Sequence, residues 1–271
     1  MNIYVGGSDD NDVDVYYNKN DISNKKEVVI FVHGGAWLFG SKFQNSKIGS
    51  LLCREGYVAV IPNYVLYPKG KIDEMVNDVY KTVEWTYNNI SKYGGDNKKI
   101  ILSGHSAGAH LSVLTVIKSY LEMENLDYNL TPLPRLRKLV LFNGPYDFDD
   151  YDEITKFFTQ SDVDRGIAEK VVTKLFASDD VSPVDIVRSQ SSNSISDFGV
   201  PKIVFFYCDK DQIVPKNSAN KLIQEIRRVS PKTVINYIYN RGNNLKHSTL
   251  IDGARSGDEV MEQYFMEIIR S

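Results

Sequence analysis

Cysteine is scarce in this chain: of 271 residues only Cys53 and Cys208 are cysteines. Their contexts, LLCREG and FFYCDKD, lack both the C-x-x-C spacing of redox and zinc sites and the density of a disulfide scaffold, so the expectation is two buried free thiols in a reducing compartment. A dominant charge is missing as well. The formal net charge is −3, lysines and arginines are scattered among acids, and no basic stripe carries stacking aromatics, which argues against nucleic acid as a partner. No apolar run approaches the about 20 residues that a membrane-crossing helix needs. The opening stretch MNIYVGGSDDNDVDVYYNKN has neither a basic n-region nor an apolar h-region, so no signal peptide is expected and a cytoplasmic location is, with room left for a segment upstream of this start. Internal repeats are also lacking.

What is present is enough apolar material for one sizeable core. Hydrophobic residues make up 42% of the chain, and the aromatics (17 Tyr, 12 Phe, 2 Trp) can furnish both that core and a greasy pocket. A single domain over residues 1–271 is the expectation. Short β-branched and aromatic runs read as strands: Val13–Tyr17, Val28–Val32, Tyr57–Ile61, Lys99–Ser103, Lys138–Phe142, Lys202–Tyr207 and Thr233–Tyr239. Several lack the alternation of a strand with one wet face, which predicts burial on both faces. Helical periods lie between them, over Lys71–Ile90, Asn217–Val229 and Gly257–Ile269. Alternating strands and helices predict an α/β architecture with a mostly parallel sheet of about eight strands covered by helices. Asp147–Gly199 breaks the rhythm with acids, serines, no convincing strand and a short helical pattern around Ile167–Phe176. It reads as a cap or lid inserted between two neighbouring strands.

The segment KKIILSGHSAGAHLSVLTVI carries the chemistry. Gly104-His105-Ser106-Ala107-Gly108 fits G-x-S-x-G, with a strand running in and an apolar helix running out. A nucleophilic serine needs that sharp strand-to-helix turn to lift its hydroxyl, and small flanking residues let neighbouring backbone pass. The helix start leaves unpaired N–H groups facing any oxyanion that develops there. Earlier, HGGAWLFGSK (His33–Lys42) follows a buried strand and offers a second donor. Together with the N–H of Ala107, the donors would come from Gly35 and Ala36, with Gly34 a further option. Trp37 is expected to wall the acyl side of the pocket or to pack beneath it.

A serine nucleophile requires a base, and the base a group that fixes its tautomer. His247 lies in the loop between the last strand and the final helix. His33, His105 and His110 are poorer candidates, because their positions suit loop anchoring, the far side of the turn and a core hydrogen bond, respectively. For the acid, YCDKDQIVP offers Asp209 and Asp211. Asp211 sits in the bend that turns back toward His247, whereas Asp209 suits bracing of its own turn.

The segments HGGAW, NYVLYPKG (Asn63–Gly70), YGGD (Tyr93–Asp96), GHSAGAH and DKDQIVP, with the final histidine, together resemble the α/β-hydrolase esterases of the hormone-sensitive-lipase and kynurenine-formamidase group. The likeness is greatest to prenylcysteine methylesterases. It extends over about Val13 to Ile269 and is poor in the cap. It implies an α/β-hydrolase fold, a nucleophile at Ser106, an acid at Asp211, a base at His247, oxyanion donors in Gly34–Ala36 and at Ala107, and no cofactor or metal. Two departures stand out. Asn63-Tyr64-Val65 occurs where relatives often have Asp-Tyr-Arg, removing a charged pair that would brace the loop, and Tyr207-Cys208 occurs where they have His-Gly. The membrane segments that precede the catalytic part in some prenylcysteine methylesterases are not seen here.

The function expected is hydrolysis of a small carboxylic ester through an acyl-enzyme on Ser106, with a prenylcysteine methyl ester or another small hydrophobic ester as substrate. The rivals are a formamidase acting on N-formylkynurenine and an inactive binding protein on a hydrolase scaffold.

Overall fold

The computed structural model describes residues 2–148, 173–176, 178–214 and 216–271. The strands are β1 (Asn2–Tyr4), β2 (Asp12–Tyr16), β3 (Lys26–Val32), β4 (Val58–Pro62), β5 (Gly95–His105), the two-residue pair β6 (Glu124–Asn125) and β7 (Tyr128–Asn129), β8 (Lys138–Phe142), β9 (Lys202–Cys208) and β10 (Val234–Asn240). The helices are α1 (Ser46–Arg54), α2 (Ile72–Asn89), α3 (Ala107–Tyr120), α4 (Pro183–Arg188), α5 (Lys216–Val229), α6 (Thr249–Ser256) and α7 (Glu259–Arg270).

Eight strands form one sheet in the order β1-β2-β4-β3-β5-β8-β9-β10. From β4 to β10 all neighbours are parallel, while β2 runs antiparallel to both β1 and β4. Strands β4 and β8 are buried at every position, as their unbroken apolar runs require. Alternation survives in where the side chains go. Val28, Ile30 and Val32 of β3 enter a core beneath α2, α3, α4 and α5, whereas Val29 and Phe31 enter a second core beneath α1, α6 and α7. In that second core Phe31, Phe142 and Phe265 pack with centroids 5.2–6.5 Å apart, each ring adding about 2–3 kcal/mol by its burial. This is an α/β-hydrolase architecture.

Because β3, β5, β8, β9 and β10 are parallel, their carboxyl ends and the loops that follow them share one edge of the sheet, the edge at which such sheets bind ligands. The excursion between β8 and β9 departs from that edge. Of the expected cap, residues 149–172 and 177, with most of the helical pattern Ile167–Phe176, lie outside the described residues. The described remainder includes α4, whose start is fixed by Pro183 in the first turn and by Ser182 Oγ accepting the N–H of Asp185 at 3.3 Å.

The loop with Asn63-Tyr64-Val65 is braced without the charged pair of relatives. Asn63 Nδ2 donates to Asp12 Oδ1 at 2.7 Å, and its Oδ1 accepts the N–H of Lys42 at 2.8 Å. The N–H of Val65 donates to the buried carboxylate of Asp78 at 2.8 Å, which also accepts from Ser8. Burial pushes the Asp78 carboxyl up from its usual range, and those hydrogen bonds oppose the shift.

Candidate active site

Ser106 occupies the turn between β5 and α3 with φ 53° and ψ −121°, a conformation that costs an L-residue of order 1–3 kcal/mol. The strain is held by packing. A Cβ on Gly108 would lie 2.2 Å from the carbonyl oxygen of Val32, and one on Gly104 would lie 2.4 Å from the backbone of Gly108. Only glycine lets β3, β5 and α3 approach this closely. The N–H of Ser106 donates to the carbonyl of Phe142 at 2.8 Å, tying the turn to β8. Although Ser106 is the N-cap of α3, its hydroxyl does not cap the helix. It meets His247 Nε2 at 2.9 Å instead.

His247 Nδ1 lies 2.9 Å from Asp211 Oδ2. An ionised carboxylate only accepts, so Nδ1 carries the proton and the lone pair of Nε2 faces the Ser106 hydroxyl. The two side chains are nearly excluded from solvent, at 8% and 1% exposure. Asp211 Oδ1 accepts the N–H groups of Ile213 and Val214, both at 2.9 Å, and Oδ2 also accepts from Asn143 Nδ2 at 2.7 Å. Burial pushes the Asp211 carboxyl up. The hydrogen bond and charge of His247, with the Val214 N–H and Asn143, outweigh it and hold the group below its usual range.

The loop after β3 lies against the serine. A Cβ on Gly34 would stand 3.1 Å from Ser106 Cβ. Ala36 and Trp37 take the left-handed φ values 53° and 61°, and Gly35 has φ 129°. The carbonyl of Gly35 accepts the N–H groups of Leu38 and Phe39, which closes the loop. Among the described residues, the N–H groups of Gly35, Ala36 and Ala107 meet no acceptor, and that of Ala107 opens α3 at its positive end.

The remaining candidates fall elsewhere. Trp37 is 1% exposed; its Nε1 donates to His110 Nδ1 at 3.2 Å, and its ring packs edge-on against His110, Phe148 and Phe176. His110 Nε2 donates to the carbonyl of Val181 at 2.8 Å, so both ring nitrogens are engaged away from the serine. His33 Nδ1 donates to the carbonyl of Gly34 at 2.8 Å, and the ring stacks on Tyr64. Burial pushes both imidazoles down to about 4. His105 points behind the turn, where its Nε2 donates to the carbonyl of His247 at 3.1 Å, and burial, followed by the nearby His247 and Arg255, holds it well below the usual range. Asp209 does not reach His247; its Oδ2 accepts the N–H of Gly242 at a long 3.4 Å.

Asn143 escaped the sequence reading, and Cys208 was read as a buried free thiol rather than as a neighbour of the site. The Sγ of Cys208 accepts from Asn143 Nδ2 at 3.4 Å and donates to the carbonyl of Lys246, the residue before His247, at 3.3 Å. The signal for Asn143 was its place directly after a buried strand, in LFNGP, at the edge where ligands bind. Beside His247 opens a cleft of about 490 Å³ lined by Lys210, Gln212, Ile213, Lys246, Ser248 and Asp252. Among the described residues no cluster of His, Cys, Asp and Glu suits a metal ion, and no helix is long and apolar enough to cross a membrane.

Residues 13–226, which include the serine turn and Asp211, match the model of the BD-FAE family. This chain belongs to the BD-FAE family. Within the wider group of α/β-hydrolase esterases, it is 26% identical to a protein of Oryza sativa subsp. japonica named "Probable isoprenylcysteine alpha-carbonyl methylesterase", over 96% of this chain and 60% of that protein. It is also 26% identical to the esterase LipC of Mycobacterium tuberculosis, over 90% of this chain and 59% of that protein. The BD-FAE chain thus spans about six-tenths of the length of these relatives. Among solved structures, esterase 2 of Thermogutta terrifontis with propionate bound superposes with a TM-score of 0.69 at 18% identity, over 99% of this chain and 93% of that one. That likeness is one of fold.

Proposed function

We propose that this BD-FAE member is a serine esterase in which Ser106 is the nucleophile, His247 the general base and Asp211 the acid that orients it. The observation that carries this reading is the unbroken Ser106–His247–Asp211 hydrogen-bond chain, at 2.9 Å for each contact, on a strained turn. As Ser106 Oγ bonds to the ester carbonyl carbon, its proton passes to His247 Nε2 and the carbonyl π pair moves onto oxygen. The N–H groups of Ala107, Gly35 and Ala36, with Gly34 as an alternative, hold that oxyanion; losing one such donor typically costs about 3 kcal/mol of barrier. Collapse of the intermediate expels the alcohol, which takes the proton from His247. Water then repeats the sequence on the acyl-enzyme.

Residues 147–199 serve as a cap. Phe148 and Phe176, at either side of the segment outside the described residues, meet each other at 4.3 Å and both pack on Trp37, while Val181 is held by His110. Trp37 therefore supports the cap from beneath, and the pocket side of the cap selects the substrate. The substrate class proposed is a small hydrophobic ester, such as a prenylcysteine methyl ester, on the likeness to the methylesterase and esterase relatives.

The test is a panel of p-nitrophenyl esters of increasing acyl length, with N-formylkynurenine and a prenylcysteine methyl ester beside them, on wild type and Ser106→Ala. Ester turnover that falls by several orders of magnitude in a folded Ser106→Ala supports the reading. Retention of more than a few per cent removes Ser106 from the mechanism. A kcat/KM for N-formylkynurenine well above that of the esters makes the chain a formamidase.

A further inference from the structure

Strand β8 lies between the strand that leads to the serine and the strand that leads to the acid, and its last residue and the one after it touch both. The carbonyl of Phe142 accepts the N–H of Ser106 at 2.8 Å, and Asn143 Nδ2 donates to Asp211 Oδ2 at 2.7 Å. That oxygen is also the one facing His247. Asn143 is itself fixed, being 2% exposed, with its N–H donating to the carbonyl of Phe206 at 2.9 Å and its side chain also reaching Cys208 Sγ. A carboxylate offers no donor, so the amide nitrogen, not the amide oxygen, must face Asp211. Its φ of 48° is one that Asn tolerates better than most residues.

We propose that Asn143 is a positioning residue for the proposed serine esterase reaction: by sharing Oδ2 of Asp211 with His247 it aims that oxygen at the imidazole while its neighbour Phe142 holds the serine turn. The proposal rests on the Ser106–His247–Asp211 reading. Oδ1 is pinned by two backbone N–H groups whatever occupies position 143. Oδ2 would otherwise have only the moving imidazole as partner and would swing with it. The orientation matters most when His247 becomes charged, so loss of Asn143 falls on kcat rather than on substrate binding. The titratable groups packed around the pair are His105 at the end of β5, Cys208 and Tyr207 of β9, Asp209 just after β9, which acts on Cys208, and Arg255 of α6, which acts through His105.

Two variants test this. Asn143→Gly removes the donor and relaxes the positive φ, so the fold is kept. The expected result is a kcat lower by roughly tenfold to a hundredfold, the usual weight of a hydrogen bond to a charged group, with KM changed less than about twofold. Asn143→Asp keeps shape and backbone but sets a second carboxylate against Oδ2. The added negative charge favours the imidazolium, so the acid limb of kcat/KM should move up by about one pH unit. A purely structural role would lower thermal stability in both variants and leave the kcat of folded Asn143→Gly at that of wild type. Both variants folded, with kcat within twofold of wild type and an unmoved limb, would overturn the proposal. Ser106→Ala assayed alongside separates the two readings: if it too retains activity, the esterase mechanism itself has failed, and if it alone is dead, only the role of Asn143 has.

Discussion

His247 Nε2 lies 2.9 Å from Ser106 Oγ although 141 residues separate the two in the chain. The contact exists because β5 and β10 are parallel members of one sheet whose carboxyl ends share an edge, and because Gly104 and Gly108 allow the serine turn to rise there. His247 is held at three points: its imidazole Nδ1 by Asp211, its backbone carbonyl by His105 Nε2, and the carbonyl of the preceding Lys246 by Cys208 Sγ.

Asp211→Asn keeps the shape of the acid but offers the wrong partner to Nδ1. Its kcat on a short p-nitrophenyl ester should fall by roughly 10⁴, the size of effect typical when the aspartate of a Ser-His-Asp triad becomes an amide. Asp209→Asn should leave kcat within a few-fold of wild type, since among the described residues the Asp209 carboxylate meets the N–H of Gly242 at a long 3.4 Å and does not reach His247. Circular dichroism checks that both variants are folded. A crippled Asp209→Asn beside an active Asp211→Asn would move the acid by two residues.

The three buried histidines outside the proposed reaction predict how stability depends on pH. His33 and His110 are pushed down to about 4 by burial, and His105 well below its usual range. Above pH 6.5 both folded and unfolded forms are neutral and nothing is lost. As the pH falls from 6.5 towards 4, the unfolded chain takes up protons that the folded chain refuses, so stability declines by about 3 kcal/mol for each of His33 and His110. Asp211 adds a loss at lower pH, because its depressed carboxyl stabilises the fold above the unfolded carboxylate range and ceases to do so as pH drops through the folded value. Urea unfolding at pH 7, 5.5 and 4.5 reads the decline. In His110→Gln, which can still bridge Trp37 and Val181, the slope between pH 6.5 and 4 should be smaller. An unchanged slope would mean that His110 is already protonated in the fold.

Most of the sheet was legible because its strands are apolar runs with breaks between them. The run Lys138–Phe142 is β8 to the residue, and Val28–Val32 is β3 short of its two half-buried first residues. Three-residue β1 was not legible, since so short an edge strand carries no periodicity. Helix α1 was missed because SKIGSLLCR places a glycine mid-helix, where Tyr16 packs so close that a Cβ would lie 2.5 Å from the ring. Tertiary packing overrides propensity at that position. Helix α6 was missed because eight residues with a glycine inside show too little of the helical period. At the site, Ser106, Asp211 and His247 were visible through their motifs and places at strand ends, whereas for Asn143 the sequence offered only its place after a buried strand, and its importance comes from the strand order β5-β8-β9, which no local pattern states.

The most direct measurement is labelling with a fluorophosphonate, which loses fluoride to an activated serine oxygen and leaves a stable phosphonyl ester. Intact mass and peptide mapping of the treated protein should show one adduct per chain, on Ser106, with ester hydrolysis lost in proportion to labelling and no adduct in Ser106→Ala or, on the same timescale, in a folded His247→Ala. Full labelling of another residue, or unlabelled protein that still hydrolyses esters, would contradict the account.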